Sequence, residues 1–147
     1  MPFTITDAEI ETLGQKAIAA KDRAYCVYSK FRVGACLLTE SGEFITGVNV
    51  ENVSYPVGVC AERCAMGTAV AAGHTRFKAI AVATDITPGA SPCGMCRQLE
   101  PRWGKSVVTS MRQFCPLDFP VYMYDGQGKY TLQTMGEYPL LVASGIL

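Results

Sequence analysis

The chain has one histidine in 147 residues, so no Ser–His or Cys–His catalytic pair is available unless His74 itself serves it. An excess of charge of one sign is also missing, since thirteen basic and thirteen acidic side chains cancel. A neutral chain lacks the basic footprint of a nucleic-acid binder and the cationic face of a membrane-surface helix. No apolar run approaches the ~20 residues of a membrane-spanning helix. The segment from Met1 to Asp7 shows no charged leader followed by an apolar core. Seven cysteines, an odd number without a secretory leader, favour reduced thiols and metal ligation over a disulfide framework. These absences together lead to the expectation of a cytoplasmic protein with neither a nucleic-acid nor a membrane partner.

What is present is a core. Hydrophobic residues make up 49% of the chain, and the length suits one domain over residues 1–147. Thr6 to about Ala20 reads as a helix, with Thr6 and Glu9 at capping-box spacing and Ile10, Leu13, Ala17 and Ile18 as its apolar stripe. Arg32 to Thr39 and Phe44 to Val50 read as a strand pair around Ser41-Gly42. Gly58 to Ala72 reads as a helix stopped by Gly73, apolar round most of its circumference and therefore expected to be buried on several sides, by the sheet and by another subunit. Lys78 to Thr84 reads as a strand covered on both faces, and Val121 to Tyr124 and Tyr130 to Thr134 as two more strands. A short helix is expected near Cys93. The order implies an α/β fold, a mixed sheet of about five strands with helices on both faces.

Two cysteine clusters carry the chemistry, Cys60-Ala61-Glu62-Arg63 and Pro92-Cys93-Gly94-Met95-Cys96-Arg97-Gln98. Cys93 and Cys96 are one helical turn apart, and Cys60 stands at a helix start, where the macrodipole and free N–H groups favour a thiolate. Three sulfurs leave one vertex of a tetrahedral zinc open, as catalytic zinc sites do. Glu62 is then a candidate proton relay; as a bland alternative it complements the helix dipole. Arg63 is placed to bond a ligand sulfur and temper the site's negative charge. Cys64, one turn beyond Cys60, competes as a fourth ligand, which would close the shell. Cys26, Cys36 and Cys115 lack ligand-spaced companions and read as small buried hydrophobes. His74 reads as a solvated turn residue. Asn49 and Glu51, two apart at a strand end, either meet vicinal hydroxyls, or the segment is a turn in which Asn49 and Asn52 merely satisfy backbone groups.

Cys-Ala-Glu-Arg, followed after about thirty residues by Ser-Pro-Cys-x-x-Cys-Arg-Gln, resembles the signature of the cytidine deaminases. Tyr28-Ser29-Lys30-Phe31-Arg32-Val33-Gly34-Ala35 and Gly47-Val48-Asn49-Val50-Glu51-Asn52 are similar to two further family segments. The resemblance implies a three-layer α-β-α sandwich and one Zn²⁺ per chain on Cys60, Cys93 and Cys96. It implies Glu62 as catalytic acid–base and hydrolytic deamination of cytidine and deoxycytidine, as in pyrimidine salvage. On the same basis Asn49 and Glu51 hold the ribose, Phe31 lines the pocket, and backbone at Ala61 and the Ser91-Pro92-Cys93 turn reads the base. Arg63 and Pro92 then support the metal ligands. Tyr55 is implied to reach a neighbouring subunit's site in a homotetramer.

Two segments depart from the family pattern. Residues from about 99 to 110, with Pro101 and Gly104 as helix breakers, look like an inserted loop. The tail Glu137-Tyr138-Pro139-Leu140-Leu141 lacks the family's base-stacking Phe, for which Tyr138 is the candidate substitute. Two alternatives follow: a deaminase for a cytosine-containing antibiotic nucleoside, or a non-catalytic zinc protein with a vestigial pocket.

Overall fold

A computed structural model of the protein describes residues 3–86 and 114–135. Helix α1 (Asp7–Ala20) opens with the expected capping box: Glu9 N–H donates to Thr6 Oγ1 at 3.2 Å, and Thr6 N–H donates to Glu9 Oε2 at 2.9 Å. Strands β1 (Val33–Thr39) and β2 (Phe44–Val48) form an antiparallel pair. Helix α2 (Ala61–Ala71) leads to β3 (Phe77–Thr84), and β4 (Pro120–Tyr124) and β5 (Tyr130–Thr134) complete the described elements.

The sheet order is β2-β1-β3-β4-β5, mixed because β3 and β4 run parallel while the other pairs are antiparallel. Alternating side chains split it into two faces. Cys36 and Leu38 of β1, with Ala79, Ala81 and Ala83 of β3, pack against Leu13 and Ala17 of α1. Ala35 and Leu37, with Ile80 and Val82, pack against Ala61, Ala65, Met66 and Ala69 of α2. The outcome is the three-layer helix–sheet–helix arrangement implied by the sequence. In β3 the alternation is one of size, alanine towards α1 and larger residues towards α2, so both faces are covered.

Two readings change. Helix α2 begins at Ala61 and not at Gly58, because Val59 is still extended and bridges Val50 in antiparallel fashion, with both N–H···O contacts at 2.9 Å. Within the single chain the sheet covers one side of it, and Gly67, Thr68 and Val70 on the far side are exposed. Gly73 does terminate it: Gly73 N–H reaches Val70 O and His74 N–H reaches Ala69 O, both at 2.9 Å, closing a Schellman turn. That turn carries His74 back onto the β1–β2 hairpin, where its Nε2 lies 2.7 Å from Glu43 Oε2 and its side chain is mostly buried. The expected solvated histidine is therefore a paired one. The short helix expected near Cys93 and the insertion expected over 99–110 lie outside the described residues.

Candidate active site

Helix α2 begins beneath the end of β2, and the two can meet because Gly47 has no side chain. A Cβ built there would stand 2.3 Å from Ala65 N and 2.4 Å from Ala61 O. This close contact fixes Cys60 at the N-cap, with φ −71° and ψ 153°, and Glu62 in the first turn. Both side chains line one cavity of about 480 Å³. Glu62 is 4% exposed, unusual burial for a carboxylate without a role, and it faces the same space as the Cys60 sulfur.

Arg63 also lines this cavity, with Nη2 3.7 Å from Cys60 Sγ and 3.4 Å from Gly58 O. A guanidinium against a sulfur favours its thiolate form, the form that binds a metal. Cys64 is not among the cavity's lining residues. Cys60 is the N-cap, extended in φ and ψ, and its carbonyl accepts from Cys64 N–H at 2.9 Å to close the first turn of the helix. Cys36 and Cys115 are buried, and burial pushes both thiols up to about 12, as expected of structural cysteines. Cys26 is buried as well.

The opposite wall is the segment 28–33. Lys30 has φ +59°, a left-handed conformation that is uncommon outside glycine. Two side chains hold that turn. Glu51 Oε1 accepts from the N–H groups of Tyr28 and Ser29, each at 3.0 Å, and its Oε2 accepts from the Ser29 hydroxyl. These bonds, the Ser29 hydroxyl first, hold the Glu51 carboxyl below the usual range. Asn49 Oδ1 accepts from Val33 N–H at 3.0 Å, and Asn49 Nδ2 donates to Phe31 O at 2.8 Å. Phe31, Asn49 and Glu51 all border the cavity. Of the two readings left open for Asn49 and Glu51, backbone satisfaction is therefore realised, and each retains a face on the cavity. Ser29 went unnoticed in the sequence because its value depends on a partner twenty-two positions away.

The floor is Val82 and Thr84, side by side on the α2 face of β3. The backbone beneath is tied down by Lys21, 7% exposed, whose Nζ donates to Thr84 O at 3.2 Å and Asp85 Oδ1 at 3.0 Å. Arg32 adds a two-pronged contact to Asp85, Nε–Oδ2 at 2.9 Å and Nη2–Oδ1 at 3.0 Å. Led by the Arg32 hydrogen bonds, these cations pull the Asp85 carboxyl down to about 2. Tyr55 opens a single 3-10 turn, Tyr55–Val57. Cys93, Cys96 and Pro92 lie outside the described residues.

A buried carboxylate and a cysteine at a helix N-terminus, lining one cavity with a polar far wall, are groups of the kind a hydrolytic site uses. The comparisons narrow the class. Residues 7–111 match the family model described as the cytidine and deoxycytidylate deaminase zinc-binding region. A cytidine deaminase of Halalkalibacterium halodurans is 39% identical over 127 residues, covering 86% of this chain and 88% of the relative. The crystal structure of cytidine deaminase from Burkholderia pseudomallei superimposes with a TM-score of 0.76 at 35% identity, covering 90% of this chain and 94% of that one. A blasticidin-S deaminase of Bacillus cereus is 34% identical over 138 residues, covering 80% of this chain and 96% of the relative. The chain belongs to the cytidine and deoxycytidylate deaminase family and is an enzyme of that class.

Proposed function

We propose that the protein hydrolyses cytidine and 2′-deoxycytidine to uridine and 2′-deoxyuridine with release of ammonia, a pyrimidine-salvage reaction in the cytoplasm. The observation that carries this reading is the shared cavity wall, on which Cys60, buried Glu62 and Arg63 converge. A sulfur at a helix N-terminus with a cation 3.7 Å away suits a zinc ligand, and Cys60, Cys93 and Cys96 form the proposed set, one ion per chain. Zinc held there supplies the Lewis acidity that brings a water's pKa towards neutrality.

The chain's own residues do the rest. Glu62, screened from bulk solvent, accepts the proton of the attacking water and delivers it to N3 as oxygen adds to C4. It then carries the second proton to the exocyclic amine, which leaves as ammonia. Ala61 at the helix start offers backbone to the base. Phe31 covers one side of the pocket. Asn49 and Glu51 present their outer faces to the sugar while their inner hydrogen bonds keep that wall rigid. Tyr55 and the outward face of α2 are assigned to contacts in a homotetramer, and residues 1–147 to one domain. Pro92 supports the second ligand pair.

A second reading, deamination of a cytosine-containing antibiotic nucleoside, is favoured by the blasticidin-S deaminase relative and by the tail that lacks the family's Phe. Turnover of cytidine, 2′-deoxycytidine and blasticidin S by zinc-replete protein separates the two. The proposal requires conversion of at least one of the first two with the higher kcat/KM. Conversion of blasticidin S alone transfers the assignment to the antibiotic, and conversion of none leaves a non-catalytic zinc protein.

A further inference from the structure

Thr84 stands out on the cavity floor. Its residue is 1% exposed and lines the cavity, yet its Oγ1 is buried with no hydrogen-bond partner among the described residues. Buried hydroxyls are nearly always paired, because an unpaired one keeps the full penalty of lost hydration. Because Thr84 borders the cavity, a ligand that enters there is the candidate partner for this hydroxyl.

The surroundings do not let it escape. Its carbonyl is held by the Lys21 ammonium, and the next residue, Asp85, is gripped by Arg32 and Lys21. On the other side Thr84 is paired in register with Val33, whose N–H is bound by Asn49. Because Val82 and Thr84 share a face and Val82 packs with Ala61, the Thr84 side chain is on the side of the sheet that carries Glu62. A fixed backbone bearing an unsatisfied hydroxyl is preorganised for a ligand, since only one torsion remains to adjust.

We infer that Thr84 is a substrate-positioning residue whose hydroxyl hydrogen-bonds the polar edge of the pyrimidine ring when the nucleoside enters. The inference rests on the deaminase reading above. A hydroxyl both donates and accepts, so it can follow the ring from a cytosine edge to a uracil edge as the reaction proceeds.

The test uses full-length, zinc-loaded wild type, Thr84→Val and Thr84→Ser. Valine keeps the branched shape and removes the hydroxyl, while serine keeps the hydroxyl and removes the methyl. Expected for Thr84→Val is a fall in kcat/KM for cytidine of roughly 3- to 10-fold, the worth of one neutral hydrogen bond. Its ligand-free Tm should be equal to or above wild type, because a hydroxyl with no partner contributes nothing to the free fold. Uridine should raise the Tm of Thr84→Val less than it raises that of wild type, and Thr84→Ser should restore turnover. Unchanged turnover in Thr84→Val overturns the inference. So does a Tm several degrees lower, which places the hydroxyl's partner in the chain itself, and so does failure of serine to rescue. If wild type binds cytidine without converting it, the proposed function fails and the inference stands or falls on the cytidine-induced Tm shift of wild type against Thr84→Val. A wild type that neither converts nor binds cytidine overturns both.

Discussion

The two faces of the sheet draw on the same strands and differ in what they leave open. On the α1 face, alanines at 79, 81 and 83 bring the helix down flat on the strands. The residue above Gly34 is so close that a Cβ there would stand 2.1 Å from Ala17 O. The apolar core of this face encloses the Cys36 thiol and the Tyr122 and Tyr124 phenols, and burial raises all three. On the α2 face, larger residues stand off the strand, and the helix starts beyond Gly47 and overhangs the ends of β1 and β3. The overhang encloses the cavity with Cys60 and Glu62. One face is closed against its helix, and the other keeps a cavity beside its helix start.

Glu62→Gln gives the largest expected effect. Loss of a proton relay should lower kcat for cytidine by roughly 10²- to 10⁴-fold, with zinc content unchanged by elemental analysis. No substitution confined to the α1 face should approach that while the protein stays folded.

The paired glycines sharpen the contrast. Gly34→Ala and Gly47→Ala each drive a methyl into helix backbone at 2.1 and 2.3 Å, respectively. Each should cost at least ~1–3 kcal/mol of stability, read from denaturant midpoints. Gly47→Ala should also depress kcat/KM, because the backbone it displaces carries Glu62. Gly34→Ala should leave the kcat of its folded fraction unchanged. Equal losses of kcat in the two variants would break the division between the faces.

Arg63→Ala removes the cation at the Cys60 sulfur. Support of this kind is worth roughly 10- to 100-fold in metal affinity, measurable by competition with a chromophoric chelator.

The smallest effect concerns the clamp around Asp85. A carboxyl lowered from an ordinary value of 3.8 to about 2 contributes stability that is present above pH 4 and lost as pH falls towards 2. The Asp85 side chain is 40% exposed, so solvent screening reduces the contribution to about 1 kcal/mol. Acid titration of wild type against Asp85→Asn should show the extra loss between pH 4 and 2 in wild type alone.

Local signals were readable in the sequence. The Thr6–Glu9 capping box, the five strands and the Schellman stop at Gly73 depend on residues a few positions apart, and all are found near their expected bounds. Cys60 and Glu62 stand out by their spacing at one helix start, and both line the same cavity, although a separation of two residues there predicts different directions for their side chains. What escaped depends on distant partners. Val59 stays extended because Val50 pairs with it, which shortens α2 by its first turn. His74 turns inward because Glu43 on a separate hairpin meets it. The Lys21–Asp85–Arg32 clamp joins three segments, and none of its members has a local signature. Thr84 could have been suspected from the pattern Ala-Ile-Ala-Val-Ala-Thr, where the position aligned with two core residues is suddenly polar.

A crystal structure of the zinc-loaded protein with uridine bound bears most directly on the α2-face site. Expected is one zinc on the Cys60 sulfur, with the pyrimidine in the cavity against Glu62 and its sugar towards Asn49 and Glu51. Zinc bound without Cys60, or uridine seated anywhere other than this cavity, contradicts it.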